Sequence, residues 1–163
     1  MAERKNVYLM RDTSADTVRT GKASIELRNG DIVEIGEKSK GVYVLTAPDA
    51  DTKRFGIVYN ADVVTTVGKY RGLSDDPRDI VFPAGTEVNF YIPKKEDEIA
   101  ITVATGYVKG TSKVLVPTVG ETGYTAKENA DTTDALVYEI TDTGFVSIGN
   151  ERVTTIEATC VLA

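Results

Sequence analysis

Apolar and polar residues alternate with a period of two along much of this chain. Between residues 86 and 92, Val88, Phe90 and Ile92 fall on one side and Glu87, Asn89 and Tyr91 on the other, the pattern of a strand with one buried face. Ile99, Ile101 and Val103 repeat the pattern. The polar stretch from Pro93 to Glu98 predicts that the two runs form a meander, with Glu96, Asp97 and Glu98 at its charged tip. Residues 23–28 and 31–35 flank Asn29 and Gly30. Both turn residues tolerate positive φ, so this segment predicts a hairpin closed by a type I′ turn. Residues 41–46 read as a buried strand, 55–59 and 62–67 as two more, and 135–141, 144–148 and 152–162 as the last. In the final run Ile156, Ala158, Cys160 and Leu162 share a face. Residues 68–83 hold two Gly, two Pro and a run of charges, and predict an irregular loop with a short strand over 80–82. One helical turn is expected near residues 125–130. The predicted core comprises Ile25, Ile32, Val42, Val44, Ile57, Val88, Phe90, Ile99, Ile101, Ile140, Ile156 and Leu162.

Short, evenly spaced strands with no room for crossover helices predict an all-β fold, an antiparallel β-barrel or sandwich. Three segments are expected. Residues 1–22 form an N-terminal arm and 23–108 the main β domain. Residues 109–163 form a smaller C-terminal β lobe that completes or adjoins the same core. The glycines and the proline clustered between residues 106 and 123 mark that second border.

Composition sharpens the picture. Val, Ile and Thr number 52 against 7 Leu in 163 residues. β-branched side chains suit a pleated surface, whereas a helix bundle or coiled coil draws on Leu, Ala, Glu and Lys. No apolar run approaches the roughly 20 residues of a membrane helix, so no membrane partner is expected. Residues 1–12 lack an apolar signal core, so no export by a signal peptide is expected.

The net charge of −6 is uneven. Residues 1–22 carry +2, residues 23–120 carry −2 and residues 121–163 carry −6. An acidic C-terminal third argues against nucleic acid as a partner, since phosphate binding needs clustered Lys and Arg. The basic arm sets Val7, Tyr8 and Leu9 among Arg4, Lys5 and Arg11. It reads either as a solvated tail or as a contact for an acidic protein surface.

Candidate chemistry is sparse. With no His in the chain, a Ser-His-Asp triad, a Cys-His dyad and His-ligated metals are excluded. The single Cys160 excludes an intrachain disulfide and a thiolate cluster. It sits in an apolar strand and reads as a small core hydrophobe. Asp75, Asp76 and Asp79 share one loop with Pro77 and Arg78. Their carboxylates suit a hard cation or the acid–base pair of glycoside cleavage, but the order of an EF-hand loop is absent, and a solvated turn explains them better. Asp49 and Asp51 fit an Asx turn after Pro48 better than a cation site. Lys69, Tyr70 and Arg71 mix aromatic and basic groups as base-stacking sites do, yet a lone triplet on an acidic chain reads as surface. Tyr occurs 8 times and Trp not at all, which disfavours a glycan platform. No metal or cofactor is expected, and no enzymatic activity; a carboxylate hydrolase is the weakest of the readings considered.

Three stretches carry a family resemblance. The first is Asn29-Gly30-Asp31-Ile32-Val33 followed by Gly41-Val42-Tyr43-Val44. The second runs from Phe82-Pro83-Ala84-Gly85-Thr86 through Phe90-Tyr91 into Glu98-Ile99-Ala100-Ile101-Thr102. The third is Lys113-Val114-Leu115-Val116-Pro117, a Gly-rich turn, then Val137-Tyr138-Glu139-Ile140 and a closing strand. In this order the chain, over most of residues 30–162, resembles the small β-rich structural proteins of tailed-phage virions, most closely the auxiliary or decoration proteins of the capsid exterior. The resemblance implies a non-enzymatic protein made in the host cytoplasm. It would bind the major capsid protein lattice, stiffen the shell against internal pressure, and work as a homo-oligomer, often a trimer. The alternative is a tail, baseplate or head-fibre module that binds a receptor or glycan. On the decoration reading the expected partner contacts are Arg4, Lys5, Val7, Tyr8, Leu9 and Arg11.

Overall fold

A computed structural model of the chain describes residues 7–9, 18–60, 81–148 and 150–163. Strands account for 53% of the described residues, which contain no helix. In chain order the strands are β1 (Val7–Leu9), β2 (Val18–Ala23), β3 (Ile32–Ser39), β4 (Val42–Thr46), β5 (Phe55–Val58) and β6 (Glu87–Tyr91). They continue with β7 (Glu98–Ile101), β8 (Val114–Pro117), β9 (Tyr124–Lys127), β10 (Val137–Ile148) and β11 (Glu151–Leu162). The expected all-β class holds, in a specific form. Five strands close a barrel in the order β2-β4-β3-β5-β6, and six form a sheet in the order β1-β7-β11-β10-β8-β9. One barrel pairing departs from the antiparallel expectation, since β2 and β4 run parallel.

The turns explain several departures from the sequence reading. A type I′ turn needs positive φ at both central residues. That geometry occurs at Lys40 (φ 53°) and Gly41 (φ 84°), which join Ser39 to Val42 across the β3–β4 hairpin. At Asn29-Gly30 only Gly30 is positive, at φ 91°. There the Asp31 N–H donates to the Arg28 carbonyl at 3.2 Å, and the Arg28 N–H donates to Asp31 Oδ2 at 2.8 Å. The expected hairpin across this turn does not form, because β4 lies between β2 and β3; Leu27 instead bridges Phe82.

The expected meander is also corrected. β6 pairs with β2 and β5, whereas β7 pairs with β11 and β1. Residues 92–97 carry the chain from barrel to sheet. Asp97 Oδ2 accepts from the Lys94 N–H at 2.8 Å. The turn is then fastened to β11, with Glu96 N–H donating to Cys160 O and Cys160 N–H to Asp97 O, both at 2.8 Å. The handover thus falls well before residue 109. The barrel begins at Val18, inside the segment expected to be an arm, and Val7–Leu9 pair with Ile101–Ile99 as an edge strand. The helical turn expected near residues 125–130 is replaced by β9.

Barrel and sheet share a wall. Inside the barrel, Ala23, Val33, Ile35, Leu45, Val58, Val88 and Phe90 form one apolar cluster with Leu27 and Phe82. On its outer face, Ile32, Ile57 and Tyr91 meet Ile99, Ile101, Leu115, Tyr138, Ile156, Ala158 and Cys160 of the sheet. Strands covered on both faces lose the polar half of their alternation, so Ile32 and Val33 are both fully buried. Main-chain bonds cross the junction: Ile32 N–H donates to Thr122 O at 2.8 Å and Gly120 N–H to Pro48 O at 2.7 Å. Among the predicted core residues, Ile32, Ile57, Val88, Phe90, Ile99, Ile101 and Ile156 are buried. Val42, Val44 and Ile140 are half-buried. Ile25 (37% exposed) and Leu162 (48%) are surface residues. Ile25 lies just past the end of β2, and Leu162 at the end of β11, past the last residue that pairs with β7.

Candidate functional site

The junction between barrel and sheet gathers three buried tyrosines. Tyr91 arrives on β6, Tyr124 on β9 and Tyr138 on β10. All three are buried, and the rings of Tyr124 and Tyr138 meet edge to face at 6.4 Å. The Tyr124 hydroxyl donates to the Gly30 carbonyl at 3.2 Å. The hydroxyls of Tyr91 and Tyr138 are buried with no hydrogen-bond partner among the described residues. Burial raises the pKa of all three well above the ordinary phenol value, and neighbouring acidic groups add to it. These phenols stay neutral and do not act as general bases. The sequence reading placed Tyr91 on a solvated face with Glu87 and Asn89; the sheet roofing that wall of the barrel is what buries it.

The cluster makes a test with two signs. An unpaired buried hydroxyl carries a desolvation cost of about 1–3 kcal/mol. Tyr91→Phe and Tyr138→Phe are each expected to raise stability by about 1 kcal/mol or more, and Tyr124→Phe to lower it by about 1 kcal/mol. Urea midpoints for the three variants check this. A loss on removing the Tyr91 or Tyr138 hydroxyl would show that an internal water bridges it.

Beside the cluster lies a polar cleft of about 230 Å³, bounded by Pro48, Asp49, Thr52 and Phe55 of the barrel and by Thr118, Lys127, Asp131 and Asp134 of the sheet. Its charged groups are engaged within the chain. Asp49 caps its own loop, as the sequence suggested: Oδ1 accepts from the Asp51 N–H at 2.8 Å and lies 3.2 Å from the Thr52 hydroxyl oxygen. That hydroxyl oxygen also lies 2.9 Å from Glu34 Oε2. Opposite, the Lys127 ammonium sits 2.6 Å from Asp131 Oδ2 and 3.4 Å from Asp134 Oδ2. The hydrogen bond to Asp131 and the charge of Asp134 raise the lysine pKa, so it remains a cation. Lys127 and Asp131 have the four-residue spacing of a helical ion pair, but here a turn after β9 brings them together. The Asp131 N–H donates to Asp134 Oδ2 at 2.7 Å, which closes that turn.

Cys160 is fully buried. Desolvation pushes its thiol up to about 11, against a smaller lowering by its bond to the Leu162 carbonyl. At neutral pH it is a protonated core side chain. Among the described residues no three His, Cys, Asp or Glu side chains converge as a metal site. Asp75, Asp76 and Asp79 lie outside the described residues, as do Lys69, Tyr70 and Arg71, and Arg4, Lys5 and Arg11 of the expected partner contacts. Val7, Tyr8 and Leu9 form β1, the outer strand of the sheet.

Comparison with known proteins returns no match: no family model fits the chain, no curated protein aligns with it, and no solved structure matches it.

Proposed function

We propose that this protein is a non-enzymatic structural component of a tailed-phage virion that binds the exterior of the capsid lattice and stabilises the shell. The observation that carries the reading is the way the two β modules are joined. One wall of a closed barrel is also the floor of a second core, and main-chain hydrogen bonds lock the modules together. Among the described residues the body presents strand edges, with the polar cleft between barrel and sheet already filled by its own ion pairs. β1 and β9 are the outer strands of the sheet, and β10 with β11 extends past its neighbours. Such a body suits contact over a broad, flat surface. On this reading Arg4, Lys5, Val7, Tyr8, Leu9 and Arg11 supply part of the lattice contact, and the protein acts on the capsid exterior as a homo-oligomer. Stabilisation follows from mass action. A protein that binds the assembled shell and not its free subunits lowers the shell's free energy by RT ln(1 + [L]/Kd) at each site.

Co-sedimentation with empty shells of the cognate major capsid protein tests the reading. The full chain is expected to bind saturably and to raise the temperature at which shells disrupt. Deleting residues 1–11 removes β1 but leaves β7 paired with β11. The truncated chain is expected to stay folded and bind at least about 10-fold more weakly, a change of about 1.4 kcal/mol. Failure of the full chain to bind shells, or density for it at the tail tip of an intact particle, would overturn the proposal.

A further inference from the structure

The chain has six asparagines, and one of them, Asn29, is followed by glycine. That dipeptide has a chemistry of its own. The side-chain carbonyl carbon of an asparagine can close a five-membered ring with the main-chain nitrogen of the next residue. A glycine there has no Cβ to shield its nitrogen, and its backbone bends readily into the ring. An unconstrained Asn-Gly pair therefore loses ammonia spontaneously.

In the fold Asn29 is only 9% exposed, and both reacting groups are held. The Gly30 N–H donates to the Val58 carbonyl at 2.7 Å. Asn29 Oδ1 accepts from the Asn60 N–H at 2.8 Å, and Asn29 Nδ2 donates to the Asn60 carbonyl at 3.4 Å. The carboxamide thus pairs with the main chain of residue 60 as a neighbouring strand would, with one donor and one acceptor. Residue 60 is tied in turn to β6. The Asn89 N–H donates to Asn60 Oδ1 at 2.8 Å, and the Tyr59 N–H donates to the Asn89 carbonyl at 3.0 Å.

The products of ammonia loss cannot restore this pairing. An aspartate accepts hydrogen bonds but does not donate them. Its carboxylate would face the Asn60 carbonyl with no proton between them, close in sequence to the buried Asp31, and an unpaired buried charge is costly. In an isoaspartate the main chain runs through the former side chain, so the remaining carboxylate is one carbon shorter and does not reach residue 60.

We propose that Asn29 is a self-modification site gated by residue 60, a one-way latch on this end of the barrel. When residue 60 parts from Asn29, and Val58 from Gly30, the Gly30 nitrogen yields its proton to solvent base and attacks Asn29 Cγ. The N–Cγ bond forms, the Cγ–Nδ2 bond breaks, and the Nδ2 group takes up a proton and leaves as ammonia. Water then opens the resulting succinimide at either carbonyl, giving aspartate or isoaspartate with no change in oxidation state. Each product leaves the Asn60 carbonyl without its donor, so the opening that admits the reaction persists after it. The inference stands apart from the capsid reading.

Timed incubation of the full chain in mildly alkaline buffer, with peptide mass spectrometry at residue 29, tests it. The folded wild type is expected to convert about 10- to 1,000-fold more slowly than the same chain in urea, the range of local opening and not of global unfolding. Asn60→Ala keeps the main-chain bonds to Asn29 but frees residue 60 from Asn89, and is expected to convert at least about 5-fold faster than the folded wild type. The converted fraction, separated by ion exchange, should melt about 3 °C or more below the intact protein, and Asn29→Asp should show the same shift. If Asn60→Ala does not fold, hydrogen exchange on the wild type replaces it. The Gly30 and Asn60 amides should then open together and more readily than Phe90, and equal protection of all three would overturn the gate. A folded wild type that converts as fast as the chain in urea, or more than about 1,000-fold more slowly, would overturn the proposal. So would an Asn60→Ala rate equal to that of the folded wild type, or a converted fraction that melts unchanged.

Discussion

Phe90→Ala is expected to lower folding stability by about 3–5 kcal/mol, the cost of emptying a large aromatic site in a packed core. Phe90 is fully buried at the centre of the barrel. Its strand is held on both sides, by Arg19 of β2 and Val58 of β5 in register with it. The Tyr43 ring meets it edge to face at 6.0 Å. A closed barrel cannot slide a strand inward to fill a void without breaking pairings around the whole circle, so relaxation is limited and the cavity term stays large. A typical domain has only about 5–15 kcal/mol in total, so the variant is expected to be marginal at 37 °C. The denaturant midpoint should fall with the m-value unchanged. A loss below about 1 kcal/mol would mean that the barrel interior is not the main core.

The second large effect comes from adding atoms. Gly21→Ala is expected to cost about 1–3 kcal/mol and Gly21→Val more, although either residue normally suits a strand better than glycine. A Cβ at Gly21 would lie 2.7 Å from Leu45 Cγ and 2.8 Å from Cδ1, closer than carbon atoms approach. Leu45 is fully buried among Ala23, Val88 and Phe90, so it has no free volume to turn into. Gly56 plays the same part opposite Phe90, where a Cβ would lie 2.8 Å from Cδ2 of the ring. A small barrel is filled by pairing large side chains with small ones across its lumen, and these two glycines are the small partners. The double variant Gly21→Ala with Leu45→Val should recover part of the loss, giving a coupling energy of about 0.5–3 kcal/mol. If Gly21→Ala alone stabilises the protein, Leu45 has room to move and the lumen is not close-packed.

Much of the strand content was legible locally. Val88 and Phe90 on one side of β6, and Ile156, Ala158 and Cys160 on one side of β11, are buried as their period-two spacing predicts. The Asx turn at Asp49 and the core character of Cys160 could also be read from neighbouring residues. Of the junction, the tyrosines were visible only as residues of strand type, and nothing near Lys127 in sequence announces that a turn delivers Asp131 and Asp134 to it. The span of β10 reads in the sequence as two strands, over 135–141 and 144–148. The structure runs β10 straight through by absorbing Thr141 in a register shift.

The sequence by itself determined the all-β class, through its β-branched composition and alternation, along with the absence of histidine chemistry. Those properties belong to single residues and near neighbours. Strand order, the parallel β2–β4 contact, and the division at residues 92–97 were decided only by tertiary structure. Each depends on which distant edge a strand meets, and a strand's own period is the same whichever partner it takes. The burial of Ile32, Ile57 and Tyr91 has the same origin. Alternation marks one face of a strand as apolar, and only the packing of the second sheet against the barrel removes the other face from water.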